Sequence, residues 1–394
     1  MDSAIALSAN ASHALASQSV VILITHLGAG GAERTATRLA DHFARGGNQV
    51  TLLTLDPQVA DFYPVSAGVG RHCLAMGGAS EGVGRAALAN LRRVWVLRRH
   101  LRRLRADVVV ALTTECAVLA IIAGFGRSVR VIAAERNYPP GLRINRLWHR
   151  LRRCVYRYAD AVVVQSEPAR RWVQKYTGAQ HTRVIPNAVA LPLQADARSV
   201  CARELLADER RLLLAVGRLT PQKGFMHLID AFARLAPAHP DWTLVILGEG
   251  GQRQTLQARI DSLSMHDRIL LPGVVGNPQH WYGRADLFVL SSHFEGFPNV
   301  LLEAMACGCA AVSYDCPTGP REIIEAGVNG LLVQPVGDVD ALASAIGALM
   351  ADDAGRQAMA ACAASSVLAR YAPDRVFALW DQLVQPRSAP PVRA

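Results

Sequence analysis

The sequence predicts an α/β protein made of two doubly wound domains that face each other across a cleft. Three observations predict it. Short β-branched apolar runs alternate with helical patterns, which marks parallel strands covered by helices. The alternation stops over residues 188–203, a Pro- and Ala-rich stretch without strong periodicity, and then restarts. At 394 residues the chain has room for two domains of ordinary size.

In the first half, Val20–Thr25 is a β-branched run, followed by the segment HLGAGGAER and a helical pattern to Arg45. The turn GGNQ leads into a second strand, Val50–Leu55, which completes a βαβ unit. Further strands are expected at Asp107–Ala111, Val129–Ala134, Ala161–Gln165 and Thr182–Ile185. In the second half, Arg211–Val216 reads as a strand, Gly217–Gly224 as a loop and Phe225–Leu235 as a helix. Trp242–Leu247 is a strand ending in GEGG, and Gln252–Leu263 a helix; Ile269–Leu271, Leu287–Ser291, Ala310–Tyr314 and Gly330–Val333 continue the series. The expected divisions are a loose tail (1–18), an N-terminal domain (19–190), a linker (191–204) and a C-terminal domain (205–383). The last helix of that domain is free to pack back on the first, and a Pro-rich tail follows (384–394).

Hydrophobic residues make up 51% of the chain and mean hydropathy is +0.16, which suits large cores and argues against disorder. No apolar run is clean enough to span a bilayer: Val108–Gly126 is broken by Thr113, Thr114 and Glu115. The N-terminus lacks a basic start and a strong apolar segment, so it reads as a tail rather than a signal peptide. The eight cysteines form no CxxC pair, which fits free thiols in a reducing cytoplasm. Cys307 and Cys309 lack partners at zinc spacing, so no metal is expected there. Charge is uneven: residues 1–195 hold 25 Lys and Arg against 11 Asp and Glu, a net of +14. Such asymmetry suggests that one half meets an anionic surface.

The most informative stretch runs from Ser291 to Ile324. Glu295 and Glu303 lie across the turn Gly296-Phe-Pro-Asn299 and the start of an apolar helix. The spacing puts Glu295 before a helix over Asn299–Cys307 and Glu303 inside it; Pro298 suits the first turn and Gly308 the stop. A helix N-terminus flanked by acids suits a ligand with both a phosphate and hydroxyls. The loop GRLTPQKG places Arg218 and Lys223 after a strand, where doubly wound folds bind ligands. Arg218 can grip phosphate oxygens in a forked geometry and Lys223 adds a compact cation; a surface loop with two solvated cations is the alternative. Gly28-Ala-Gly-Gly31 lets backbone approach a ligand but does not complete a dinucleotide fingerprint, so a redox cofactor is poorly supported. Glu33 and Arg34 beside it read as a helix-start acid and a solvated arginine. No GxxxxGKS/T loop occurs, which argues against P-loop ATP hydrolysis.

Together, GRLTPQKGF, VILGEGG, ILLPGVV, ADLFVLSSHFEGFPNVLLEAMACG and GPREII, with HLGAGGAER and Ile185-Pro-Asn187, resemble the retaining nucleotide-sugar glycosyltransferases of family 4. The resemblance covers nearly the whole chain and implies the GT-B fold, two Rossmann-like domains around a cleft. It implies that Arg218 and Lys223, on the loop opened by Gly217, neutralise the donor diphosphate. Glu303 would bind the ribose hydroxyls, and Glu295 with Gly296, Phe297, Pro298 and Asn299 would engage the donor sugar. Gly30 and Gly31 would face diphosphate and acceptor, and Gly273 and Val274 the base. No cofactor and no metal are implied, because cations and amide dipoles can stabilise the leaving diphosphate. No nucleophile is assigned, so the paired-carboxylate logic of glycosidases is the wrong template.

Many relatives carry a His close to the transferred sugar. Here Val131–Asn137 offers Glu135, Arg136 and Asn137 instead. A similar element is found in members that act on polyprenyl-diphosphate-linked oligosaccharides; Arg136 or Asn137 would then contact the donor sugar or its phosphate, the alternative being a structural salt bridge. The second informative segment is Leu91–Arg105, with Leu91, Val94, Trp95, Leu101 and Leu104 at helical spacing among arginines that include Arg92, Arg98, Arg99 and Arg102. Arg146, Trp148 and Arg150 belong to a similar segment. Arginines with tryptophans suit an anionic leaflet, the alternative being a solvated basic helix face, and no nucleic-acid-binding motif is present.

These expectations describe a cytoplasmic, membrane-peripheral hexosyltransferase. It would move a sugar from a UDP-sugar, first an N-acetylhexosamine, onto a polyprenyl-diphosphate-linked glycan for bacterial surface polysaccharide. A GDP-mannose donor and a soluble acceptor are alternatives. The rival of a different class is a non-catalytic, basic membrane-binding protein with a degenerate nucleotide-sugar fold.

Overall fold

A computed structural model of the protein describes residues 17–28, 30–56, 61–76, 83–141, 144–193, 199–206 and 209–385, the side chains of 83–87 excepted. The N-terminal domain runs β1 (Ser19–Ile24), α1 (Gly31–Arg45), β2 (Gln49–Thr54), β3 (Val69–Cys73), α2 (Val83–Arg103), β4 (Val108–Leu112) and α3 (Thr114–Gly124). It continues with β5 (Arg130–Ala134), α4 (Arg146–Val155), β6 (Ala161–Val164), α5 (Glu167–Thr177) and β7 (Thr182–Val184). The short α6 (Ala202–Leu205) leads to β8 (Arg211–Val216), α7 (Phe225–Leu235), β9 (Trp242–Leu247), α8 (Arg253–Ser262) and β10 (Ile269–Gly273). Then follow α9 (Pro278–Arg284), β11 (Leu287–Leu290), α10 (Asn299–Ala306), β12 (Ala311–Tyr314), α11 (Pro320–Ile323) and β13 (Leu331–Val333). Three helices close the chain: α12 (Val339–Ala351), α13 (Asp353–Tyr371) and α14 (Pro373–Val384).

The strands form two parallel sheets, seven-stranded in the order β3-β2-β1-β4-β5-β6-β7 and six-stranded in the order β10-β9-β8-β11-β12-β13. Val20 stands opposite Val50 on one side and Val108 on the other. The central strands are buried on both faces, which is why β4, β6 and β11 read as unbroken apolar runs and β9 as one broken only by Thr243. Strand order reverses between β1 and β4 and between β8 and β11, the places where open α/β sheets leave a crevice at their carboxyl ends.

The fold class is the expected one, with two doubly wound halves. β3 is an edge strand absent from the sequence expectations; in its VGRHC only Val69 is buried, Gly70 and His72 are exposed, and there is no apolar run. Two expected tails begin inside ordered structure. Gln18 is buried, its Oε1 accepting from Arg130 Nη2 at 3.0 Å. Val384 is buried at the end of α14, and its carbonyl also accepts from Arg130. Residues 1–16 and 386–394 lie outside the described residues.

The chain passes between the domains twice, after Asn187 and again between α13 and α14. Val189 N–H donates to Tyr371 O at 3.0 Å where the two passages meet. α14 then buries Val376, Phe377 and Trp380 in one apolar cluster with Ile22, Leu39 and Val110 of the N-terminal domain.

Candidate functional site

The C-terminal half of the site is built by two loops at the β8/β11 reversal. The loop after β8 tightens into a 3₁₀ turn at Pro221–Lys223 and ends at Gly224, whose φ of 63° opens α7. A Cβ at Gly224 would run into the carbonyl oxygen of Ser291, so only glycine lets the loops touch. Three hydrogen bonds then join them: Ser291 Oγ to Lys223 O at 2.9 Å, Gln222 Nε2 to Phe294 O at 2.8 Å, and His293 N to Gln222 O at 2.8 Å. The result brings Lys223 Nζ to 2.6 Å from Glu295 Oε1, with both side chains largely buried. Behind Glu295, the Thr318 hydroxyl donates to its backbone carbonyl.

Glu295 precedes α10 and Glu303 lies within it, as the spacing predicts. Pro298 caps the helix rather than entering its first turn. The GEGG loop folds under the first loop, with Leu219 N donating to Glu249 O at 2.9 Å and Gly248 N to Gly273 O at 2.8 Å. Gly273 is thereby tied to Gly248, which itself packs on the Gly217 carbonyl, and Val274 beyond it is exposed. Arg218 is exposed and has no side-chain partner among the described residues, so Lys223 and Glu295 meet without it.

The N-terminal domain meets this half across the cleft. Gly31 approaches α10 so closely that a Cβ there would stand 2.7 Å from Asn299 Nδ2. Gly296 packs on the Arg136–Asn137 backbone, where a Cβ would stand 2.7 Å from Arg136 O. Arg34 is a correction to the sequence reading: it is not a solvated arginine. Its Nη1 lies 2.5 Å from Glu303 Oε1, with only a fifth of the side chain exposed. Tyr282 OH donates to Glu303 Oε2 at 3.3 Å. Burial works against the Arg34 charge, but Glu303, Tyr63 and Tyr282 outweigh it and leave the guanidinium above its ordinary value.

The Glu135-Arg136-Asn137 element divides. Glu135 is tied inside the N-terminal domain, accepting from Tyr156 OH at 2.6 Å and from Thr114 Oγ1 at 3.0 Å, with Arg152 at 3.5 Å. Its geometry is that of the structural salt bridge. Asn137 is exposed. Arg136 is buried and has no carboxylate within ion-pair distance among the described residues. Its Nη2 donates to Thr35 Oγ1 at 3.0 Å and to Asn187 Oδ1, while Nε and Nη1 have no partner there. Burial alone pulls it down to about 10. Asn187 also donates through Nδ2 to Asn299 Oδ1 at 2.6 Å, bridging the domains. In the sequence Asn187 only ends the Ile185-Pro-Asn187 motif; nothing in the local pattern shows that it lies between an arginine and a helix start.

The basic surface departs from expectation at Trp148, which is buried in the N-terminal core against α3 and α5 rather than displayed. Arg98 is half-buried and donates to the carbonyls of Ala123 and Phe125. Arg92, Arg99, Arg102, Arg146 and Arg150 are exposed. On α2 the outward stripe is Leu88, Leu91 and Trp95, the last 60% exposed with Arg99 stacked 5.7 Å from its ring; Leu97 and Leu101 face the core.

Two parallel-sheet domains that close glycine-rich and acidic loops on one cleft define a GT-B glycosyltransferase fold. Residues 29–191 match the model of Glycosyltransferase Family 4, and residues 200–365 that of Glycosyl transferases group 1. The chain belongs to the family-4 glycosyltransferases. It is 36% identical over 73% of its length to an exopolysaccharide phosphotransferase of Streptomyces coelicolor. It is 38% identical over 40% of its length to the N-acetylgalactosamine-N,N'-diacetylbacillosaminyl-diphospho-undecaprenol 4-alpha-N-acetylgalactosaminyltransferase of Campylobacter jejuni. The chain spans 29% and 42% of those two relatives, less than half of each. Among solved structures, HepE of Anabaena, in complex with UDP and glucose, superposes with a TM-score of 0.76 at 20% identity, covering 94% of this chain and 100% of that one.

Proposed function

We propose that this protein is a retaining glycosyltransferase that moves a hexose from a UDP-sugar onto a lipid-linked glycan in bacterial surface-polysaccharide synthesis. The observation that carries the reading is the convergence of Lys223, Glu295, Glu303 and the N-terminus of α10 on one cleft, opposite the Gly30–Gly31 turn and the unpaired Arg136. The diphosphate lies over the α10 amides and Lys223, with Arg218 able to fold onto it. Ribose goes to Glu303, the sugar to Glu295 and the base to Gly273–Val274. As the bond between C1 and the phosphate oxygen breaks, negative charge grows on the diphosphate where these cations and dipoles already stand. The acceptor hydroxyl enters on the same face; its oxygen forms the new bond to C1 and its proton passes to the departing phosphate oxygen. Such a displacement needs no protein nucleophile and no metal.

The UDP bound by HepE supports the choice of nucleotide, and the name of the Campylobacter relative supports an N-acetylhexosamine and a diphospho-undecaprenol acceptor. A screen of UDP- and GDP-sugars by nucleotide release, with polyprenyl-diphosphate-linked glycan present, should single out a UDP-N-acetylhexosamine, and the product's anomeric proton should show retention. Release with no donor, or an inverted product, would overturn the reading.

The same reading places the protein on the cytoplasmic face of an anionic membrane through α2 and α4. No helix among the described residues is long and apolar enough to cross a bilayer. The exposed Leu88, Leu91 and Trp95 sit among arginines that are each worth about 1 kcal/mol near an acidic leaflet. Flotation with acidic liposomes should be lost when Arg92, Arg99 and Arg102 become Gln and Trp95 becomes Ser. Undiminished binding would remove the membrane face.

A further inference from the structure

Arg136 presents a physical anomaly behind the point where Asn187 meets the start of α10. A guanidinium removed from water is costly unless a counter-charge or full hydrogen bonding compensates it. Here it is 7% exposed, two of its nitrogens are unpartnered, and the side chain that takes its Nη2 is a neutral amide, Asn187. Thr35, its other partner, is neutral too. Gln165 beside them is neutral as well, its Nε2 donating to Asn187 Oδ1 at 2.8 Å. Two uncharged groups thus fix the fork without cancelling its charge.

Resting on the glycosyl-transfer reading, we infer that Asn187 is a positioning residue that holds Arg136 with its charge unspent and its buried Nε–Nη1 edge unpartnered, for an anionic group of the donor to meet when it enters between the domains. Asn187 is suited to this by being bifunctional. Its oxygen accepts from Arg136, while its nitrogen donates to Asn299 Oδ1 at 2.6 Å and to Phe297 O at 3.4 Å. The fork is therefore set in place by the same contact that seats the start of α10 on the N-terminal domain. A carboxylate at this position would hold the arginine as firmly but would neutralise it. The free edge would then have less pull on a diphosphate oxygen as charge develops there.

Paired substitutions separate this role from a structural one. Asn187→Asp keeps size and an acceptor for Arg136, and Asn299 can turn its amide to donate to the new carboxylate. Asn187→Ala removes all of these hydrogen bonds but leaves the Arg136 charge intact. If Asn187 is merely structural, Ala is the worse change in every measurement. The expected result is a crossed order. Asn187→Asp should melt about 2–4 °C above Asn187→Ala, yet turn over the donor about tenfold more slowly in kcat, with KM for the donor changing less than kcat. In an Arg136→Gln background, exchanging Asp for Ala at 187 should no longer alter kcat. A kcat for Asn187→Asp equal to or above that of Asn187→Ala overturns the inference, as does a full additional loss in the Arg136→Gln background. Failure of the wild-type protein to release nucleotide from any donor would instead fault the glycosyl-transfer reading, and the melting order would still report whether the carboxylate pairs with Arg136.

Discussion

Lys223→Ala lowers kcat/KM for the donor by about 10²–10³-fold, the usual loss when one prepositioned charge at a developing anion is removed. The effect is large because the lysine is fixed rather than mobile. The loops carrying Lys223 and Glu295 are joined by three hydrogen bonds, and the lysine stem passes 3.3 Å from where a Gly217 Cβ would stand. The same substitution strips Glu295 of its cation at 2.6 Å in a largely buried setting, which costs about 3 kcal/mol of stability. Rate and stability are separable. Adding Glu295→Gln to Lys223→Ala removes the stranded carboxylate, so thermal stability recovers while nucleotide release does not. Recovery of both would make Lys223 a structural partner of Glu295 and nothing more.

Glu303→Ala weakens UDP by about 10²-fold, from the loss of hydrogen bonds between a charged acceptor and two ribose hydroxyls. Arg34→Gln acts in the opposite direction. In the closed cleft Glu303 Oε1 is held by Arg34 at 2.5 Å and Oε2 by Tyr282, so ribose must displace the arginine. Without that rival, UDP binds about fivefold tighter, within the ordinary range of coupling between two groups that compete for one site. Titration calorimetry with UDP and with inorganic diphosphate tests both substitutions. The second ligand has no ribose, so neither change should move its affinity by more than about twofold, within the scatter of additive effects. If both substitutions weaken UDP, Arg34 is a donor contact and Glu303 is not under competition.

Much of the C-terminal half was legible because its elements are bounded by glycines and filled with one kind of residue. β8, α7 and β9 fall on the residues expected of them. Lys223 and Glu295 could be placed together because each sits just beyond a strand, and the reversal of strand order brings those strands side by side. β3 escaped notice because a peripheral strand with one neighbour needs no apolar run; Gly70, Arg71 and His72 can sit there half-solvated. Arg34 was misread because its partner lies 269 residues away, on the other domain, and local spacing says nothing about closure. Trp148 was misplaced for a related reason, while Trp95 is displayed as expected. On a helix with apolar residues on more than one side, periodicity cannot say which stripe meets the core. α4 lies against α3 and α5, which takes Trp148 inward, whereas α2 seats Leu97 and Leu101 and leaves Trp95 outside.

The hydrogen bond between Val189 and Tyr371 gives the molecule a mechanical character. Two chain passages tied at one point make a single pivot between the domains, and because both belong to one chain any change in how they meet is a unimolecular event however dilute the protein. The helix beyond the second passage is C-terminal in sequence yet travels with the N-terminal body, anchored by Trp380 in its core and by Arg130 on its last carbonyls. It works as the far leaf of the hinge. Loosening it would act on how the jaws meet, well away from any group that touches the donor.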